Sequence, residues 1–184
     1  MIKIEEFLYV FLLSMLFGVT QKIADAANEH NVDVSPFYKI VWGILFGITG
    51  SLLSINNYCF SIYFCSLVIY WLIKNKLDYI NHQIAGSIMF FSLIFFSRIE
   101  NYYIETLMII SIFFALDFLT KKIKKSNKKN QIFNLFDKFK IRFIFISLIM
   151  SFWSKNILLV ISVSTTITAI LITTNILKRK FKYL

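Results

Sequence analysis

Long apolar stretches alternate with short polar segments along this chain of 184 residues, and seven of the stretches can cross or nearly cross a bilayer. They lack the ten-residue alternation of a membrane β-barrel, and a backbone exposed to lipid must pair within its own segment. The pattern therefore predicts an all-α, polytopic transmembrane helical bundle. The predicted helices cover about residues 6–20, 37–53, 58–73, 80–97, 102–119, 141–153 and 157–177.

Two features refine this prediction. The first helix is expected to continue as a polar helix into the twenties. Several predicted helices are shorter than the roughly 20 residues that span hydrocarbon. The segments 58–73 and 141–153 are the easiest to miscount, so six to seven membrane helices is the expected range, within a single integral membrane domain covering residues 1–184.

Composition excludes a soluble domain. The chain is 58% hydrophobic, whereas soluble domains are about 45–50% apolar. In a soluble protein the net charge of +10 would suggest nucleic acid. Here the basic residues flank apolar helices, where membrane insertion and anionic headgroups account for them. The sequence predicts membrane lipid and no nucleic acid as the partner.

The positions of the basic residues predict the orientation. If the C-terminus is cytoplasmic, only Lys3, Arg98 and Lys155 of the 20 Lys and Arg residues lie outside. Short loops rich in Lys and Arg remain cytoplasmic. The prediction is a multi-pass protein of the cell membrane with its N-terminus outside and its C-terminus inside.

The segment 120–140 is the one obvious basic linker, predicted to be cytoplasmic. Its second half spaces apolar residues among Lys and Asp as a short interfacial helix on the inner leaflet would. A solvated basic connector is the alternative. The apolar residues concerned are Ile132, Phe133, Leu135, Phe136 and Phe139.

Gly43, Gly47 and Gly50 share one face of the second predicted helix. Small residues at this spacing let another membrane helix approach closely. The partner helix could come from the same chain or from another copy or subunit, so a homo- or hetero-oligomer through Gly43 and Gly47 is possible. A substrate groove lined by backbone is the alternative.

Two polar segments contain both histidines of the chain. The first, residues 22–31, contains Asp25 and His30, and the second, residues 74–82, contains Asp78 and His82. In the predicted orientation both segments lie on the cytoplasmic face. Residues four apart on a helix share one side, so Asp78 and His82 can act together.

Such a set of carboxylates and imidazoles predicts a divalent cation such as Mg²⁺ or Mn²⁺, which prefer oxygen ligands. The predicted metal ligands are Asp25, Glu29, Asp78 and Asp117. The predicted catalytic residues are Asp25, His30, Asp78 and His82, because a metal can clamp phosphate oxygens while a histidine moves a proton. The predicted substrate-binding residues are Lys22, Lys39, Lys76 and Asn81.

Two acidic segments on cytoplasmic loops of an apolar bundle resemble the layout of the UbiA-type intramembrane prenyltransferases. In that family acidic motifs hold Mg²⁺ and a prenyl diphosphate, which the resemblance implies for this chain. The similarity is one of layout, since this chain is far shorter and lacks the family's NDxxDxxxD run.

The expected function is that of a small integral membrane enzyme acting on a lipid (di)phosphate or isoprenoid-type substrate. Its polar, metal-assisted pocket would face the cytoplasm. The alternatives are an ion or small-solute transporter and a non-catalytic subunit that assembles through the glycine face. In the plainest alternative the polar segments are solvated loops, with Asp78 capping the fourth helix.

The orientation can be tested directly. A cysteine introduced into the 120–140 linker or the C-terminal tail should react with an impermeant thiol reagent only after sealed right-side-out vesicles are opened. Reaction of the linker cysteine in intact vesicles would mean that the orientation is opposite to the predicted one. The two polar segments would then lie outside the cytoplasm.

Overall fold

A computed structural model describes residues 3–29, 36–97, 102–126 and 140–181. In these ranges the chain forms α-helices and no strands, which confirms the predicted all-α class. The helices are α1 Ile4–Glu29, α2 Pro36–Ser54, α3 Tyr58–Ile73, α4 Ile80–Phe96, α5 Tyr103–Ser126, α6 Ile141–Ser154 and α7 Leu158–Phe181.

The helix ends follow local chemistry. Pro36 opens α2, where its missing N–H costs no helical hydrogen bond. The Asn57 side chain caps α3 by accepting hydrogen bonds from the backbone N–H groups of Cys59 and Phe60 at 3.1 and 3.2 Å. α1 continues to Glu29, as predicted. α5 continues to Ser126, past the predicted end, because lysines form helix well and favour its C-terminal end.

Within the described ranges, four helices are long and apolar enough to cross a membrane, judged by length and composition. These segments are Ile4–Ala27, Phe37–Ser54, Tyr103–Lys122 and Leu158–Arg179. The helices α3, α4 and α6 are shorter apolar helices. The chain is therefore a helical membrane protein. The interfacial helix predicted within 120–140 falls mostly on residues 127–139, which lie outside the described ranges.

α3 is the central helix of the bundle. Every residue from Cys59 to Val68 is buried, and α2, α4, α5 and α6 all pack against this helix. A helix that is apolar on all sides has no face to offer to water, so other helices surround it. On one side of α3, α1 packs between α2 and α7, and α4 packs on α2.

The predicted close packing of the α2 glycine face is confirmed, and the partner helix is α4 of the same chain. A Cβ atom placed on Gly43 would lie 2.8 Å from the Cα and O atoms of Asn81, and one on Gly47 would lie 3.0 Å from the Cα of Ala85. α4 thus occupies the face proposed for oligomerisation. Assembly through Gly43 and Gly47 stays a prediction that would require α4 to move.

The Gly43 contact gives a stability prediction. Gly43→Ala should lower the free energy of unfolding by about 1–3 kcal/mol, because the methyl group would collide with the backbone of Asn81. The matched control is Gly86→Ala. Its methyl group would meet only the Leu77 side chain, at 3.2 Å, and alanine favours helix over glycine by about 1 kcal/mol.

Both variants should be compared with the wild type by thermal unfolding in detergent. Gly86→Ala should melt at or above the wild-type temperature and Gly43→Ala clearly below it. Equal melting temperatures for Gly43→Ala and the wild type would mean that α4 does not pack closely on α2.

Candidate functional site

A buried amide joins the start of α4 to the polar end of α1. Asn81 is fully buried, and its Nδ2 donates a hydrogen bond of 2.6 Å to the backbone carbonyl of Ala24. Its Oδ1 accepts from the backbone N–H of His82 at 2.9 Å. Because a buried amide is costly without partners, these bonds hold the first turn of α4 against α1 and place His82 beside Asp25.

His82 joins three chain segments through its two ring nitrogens. Its Nε2 lies 2.8 Å from Oδ1 of Asp25, and its Nδ1 lies 3.2 Å from the backbone carbonyl of Lys76. Oδ1 of Asp78 lies 3.9 Å from the same Nδ1. Both nitrogens face acceptors, and only a protonated imidazole can donate from both. The geometry therefore favours the imidazolium form.

Charge reinforces this protonation state. His82 lies in the first turn of α4, outside the four helices long enough to span a bilayer. Burial disfavours the charged imidazole, but the hydrogen bond to Asp25 and its negative charge outweigh burial and raise the pKa of His82 above its usual value. The Phe46 ring contacts His82 edge to face, at 6.4 Å between centroids.

The loop between α3 and α4 is held to His82. Asn75 adopts a left-handed conformation with φ of 55°, and Gln83 Nε2 donates to the carbonyl of Leu77 at 3.1 Å. Asp78 does not cap α4, contrary to the plainest alternative from the sequence. The capping position belongs to Tyr79, whose side chain makes no capping hydrogen bond. The Asp78 carboxylate is instead half exposed near His82.

A second ionic cluster surrounds Asp117 of α5. Oδ1 of its carboxylate accepts a hydrogen bond from Arg142 of α6 at 3.0 Å. The ammonium groups of Lys74 and Lys121 approach Oδ2 at 2.7 and 3.3 Å, at ion-pair distance but without regular hydrogen-bond alignment. Since Asp117 is buried, these cations compensate its charge. Three cations around one carboxylate disfavour the predicted metal role of Asp117.

One cavity of about 330 Å³ lies between the two ionic clusters, and we call it the His82 cavity. Five charged residues line it, namely Asp25, Lys76, His82, Lys140 and Arg142. The rest of its wall is largely aromatic and aliphatic, with the polar exceptions Gln21, Ser162 and Thr166; it includes Phe17, Phe46, Tyr63, Phe64, Leu67, Tyr70, Trp71, Leu77, Phe143, Val163, Ile167 and Ile170. The cavity is thus amphipathic, and its charged lining carries more positive than negative groups.

The structure assembles part of the predicted site. Asp25, Asp78, Lys76, Asn81 and His82 come together, although Asp78 and Asn81 do not line the cavity.

Lys22 and Lys39 do not line the His82 cavity either. Glu29 is the last residue of α1. Its side chain and His30 lie outside the part that the structure describes.

Sequence reasoning missed the contribution of α6. Arg142 lines the cavity and also pairs with Asp117, and Lys140 lines the cavity beside it. Within the sequence these two residues looked like the end of a basic linker. The one available signal was that Arg142 lies inside the first turn of an apolar helix, where a cation needs a partner.

A metal site has no support from the described side chains. Among them, no group of three or more His, Cys, Asp and Glu residues is spaced to hold one ion. Oδ1 of Asp25 accepts a hydrogen bond from His82 and is therefore not open to an ion. Binding of Mg²⁺ or Mn²⁺ by Asp25, Glu29 and Asp78 stays a prediction.

No family model matches this sequence, and comparisons with curated proteins and with solved structures find no significant match. The class that fold and composition define is an all-helical membrane protein. Any functional conclusion must come from the geometry of the His82 cavity.

The Asp25–His82 pair predicts a pH dependence of stability. Because the folded protein binds the His82 proton more tightly than the unfolded chain, the pair stabilises fully below the unfolded histidine pKa of about 6.5. That stabilisation, roughly 1.5–3 kcal/mol for a hydrogen bond to a charged group, should be lost as the pH rises through the raised pKa of His82.

Unfolding in detergent at a series of pH values tests this expectation. Asp25→Asn should remove most of the dependence. Asp78→Asn is the matched control and should retain it, because the Asp78 oxygen is 3.9 Å from the ring and leaves the Asp25 bond intact. The same pH slope in Asp25→Asn and the wild type would show that the pair is not an ion pair.

Proposed function

We propose that this protein binds an amphiphile with an apolar tail and a phosphate or diphosphate head in the His82 cavity and transforms that head. The observation that carries the proposal is the amphipathic lining. Among the described residues that line the cavity, Lys76, Lys140, Arg142 and the protonated His82 face a single carboxylate, that of Asp25. This excess of positive charge suits an anion with more than one negative charge better than a neutral or cationic substrate.

The apolar wall supports a tail rather than a soluble metabolite. Phe17, Phe46, Phe64 and Trp71 belong to α1, α2 and α3, and Ile167 and Ile170 extend the wall along α7. Pockets of this kind bind mainly through apolar and aromatic contact, while a few polar groups orient the ligand. An isoprenoid or acyl chain therefore fits the wall, with its phosphate at the charged lining.

The Asp25–His82 pair supports acid–base chemistry at the head. In hydrolysis of the head, water attacks the phosphorus next to the tail and the bond from that phosphorus to the tail oxygen breaks. The protonated imidazole can donate its proton to the tail oxygen, so that the tail leaves as an alcohol, while the proton lost by the water remains on the released phosphate. Asp25 would orient the ring and stabilise its charge, and Lys76 and Arg142 would neutralise the remaining phosphate oxygens. Mg²⁺ or Mn²⁺ would be held by the half-exposed carboxylate of Asp78 and would neutralise part of the charge of the phosphate oxygens.

We also propose that the protein lies in the cell membrane. The Lys and Arg distribution supports several passes through the cell membrane, with the His82 cavity on the cytoplasmic side. A transporter needs polar groups along a path through the bilayer, whereas the charged groups lining the His82 cavity come from helix ends and loops. The geometry therefore favours the enzyme over the transporter.

Binding can be followed with Trp71, which lines the cavity. In a Trp42→Phe/Trp153→Phe background, farnesyl phosphate and farnesyl diphosphate should change the Trp71 fluorescence, and farnesol should bind at least tenfold more weakly. Lys76→Gln should weaken phosphate binding by about tenfold, since hydrogen bonds to charged groups contribute roughly 1.5–3 kcal/mol. Lys155→Gln is the control, because Lys155 is exposed and does not line the cavity.

Equal affinity for farnesol and its phosphates, or an unchanged affinity in Lys76→Gln, would contradict the proposal. Turnover is tested separately by phosphate or diphosphate release from the bound amphiphile, with and without added Mg²⁺. His82→Gln should bind as the wild type does to within a few fold and release none. If the wild type binds the amphiphile but releases no phosphate or diphosphate under either condition, the protein binds lipid without transforming it. That result would contradict the catalytic part of the proposal.

A further inference from the structure

A second cavity lies toward the opposite end of α3 from the Asp25–His82 pair. It has a volume of about 140 Å³ and forms where the first turns of α3 and α5 meet the last turn of α6. Tyr58, Tyr102 and Trp153 supply three aromatic rings to its wall, and among the described residues Glu105 supplies its one carboxylate. The proposed phosphate chemistry uses none of these residues.

Two of the three aromatic rings, those of Tyr58 and Tyr102, are held in place by contacts across helices. Tyr58 and Tyr102 stack, with 5.5 Å between ring centroids and 29° between planes. The Tyr58 hydroxyl donates a 3.4 Å hydrogen bond to the backbone carbonyl of Ser154 at the end of α6. The stacking and this hydrogen bond hold the Tyr58 and Tyr102 rings in place before any ligand arrives. The entropic cost of ordering these side chains on binding is therefore lower.

Glu105 gives the cavity its charge. It lies in the first turn of α5, three residues after Tyr102, and is only partly exposed. It pairs with no basic group in the described part of the chain. A carboxylate beside three electron-rich rings attracts a cation. The Met150 side chain and the Ile62 and Ile109 side chains complete an apolar wall, which disfavours a strongly hydrated metal ion and favours an organic one.

We propose that this second cavity binds an organic ammonium group, with the rings of Tyr58, Tyr102 and Trp153 around the cation and Glu105 as its counter-ion. Aromatic rings attract ammonium groups through their negative faces, and quaternary ammonium ligands are recognised by several such rings together. The volume admits a headgroup rather than a whole lipid. The ammonium group can belong to a free amine or to a lipid headgroup.

Trp153 reports on this cavity. In a Trp42→Phe/Trp71→Phe background and maltoside micelles, choline should change the Trp153 fluorescence. Its carbon analogue, in which a tert-butyl group replaces the trimethylammonium group, should bind at least tenfold more weakly, because it has the same shape without the charge. A lysolipid with a phosphocholine head, compared with one carrying phosphoglycerol, tests the lipid source.

Saturable binding of choline assigns the cavity to free ammonium compounds. Binding of only the phosphocholine lysolipid assigns it to lipid headgroups. In either case Glu105→Gln and Tyr102→Leu should each weaken binding by about tenfold. Tyr103→Leu, at an exposed position outside the cavity, should not.

Two results would overturn the proposal. One is equal binding of the charged probes and their uncharged or anionic counterparts. The other is an unchanged affinity in a Glu105→Gln variant that elutes and melts as the wild type does. The rings would then be ordinary aromatic residues of a membrane interface. Because Lys76→Gln leaves this cavity untouched, the outcome is independent of phosphate binding in the His82 cavity.

Discussion

The contact between α2 and α4 at Gly43 is the constraint on which the candidate site depends. Only a residue without a side chain lets the backbone of Asn81 approach α2 so closely. This approach places the Asn81 amide where it can reach the carbonyl of Ala24 on α1. The contacts of Asn81 therefore fix the positions of α1, α2 and α4 relative to one another. The next residue, His82, lies beside Asp25 as a consequence.

The hydrogen bond from Asn81 to Ala24 restricts the helix positions strongly, because losing it would cost considerable free energy. A buried amide that loses its acceptor costs roughly 1–3 kcal/mol. The Asn81 contact thus specifies the relative position of α1 and α4 more narrowly than apolar packing could. This constraint places His82 within 2.8 Å of Asp25, and the Lys76 carbonyl contacts the other ring nitrogen at 3.2 Å.

Arg142 links the two ionic clusters into one arrangement. It compensates the buried charge of Asp117 on α5 and also faces the His82 cavity from α6. Its planar guanidinium can serve both directions, because it carries five donors. Asp117 is consequently the residue that holds Arg142 in place, so that the fold fixes this cation of the cavity lining.

The sequence by itself determined the helices, their limits to within a few residues except at the end of α5, the membrane class and the polar segment around His82. These are local properties, since apolar stretches, caps and charge follow from neighbouring residues. It could not show that Asp25 meets His82 while Asp117 meets Arg142, or that Lys22 and Lys39 stay away from the cavity. Such pairings join residues 25 and 57 positions apart, and only the packing of α4 on α1 and α2, and of α5 on α3 and α6, decided them.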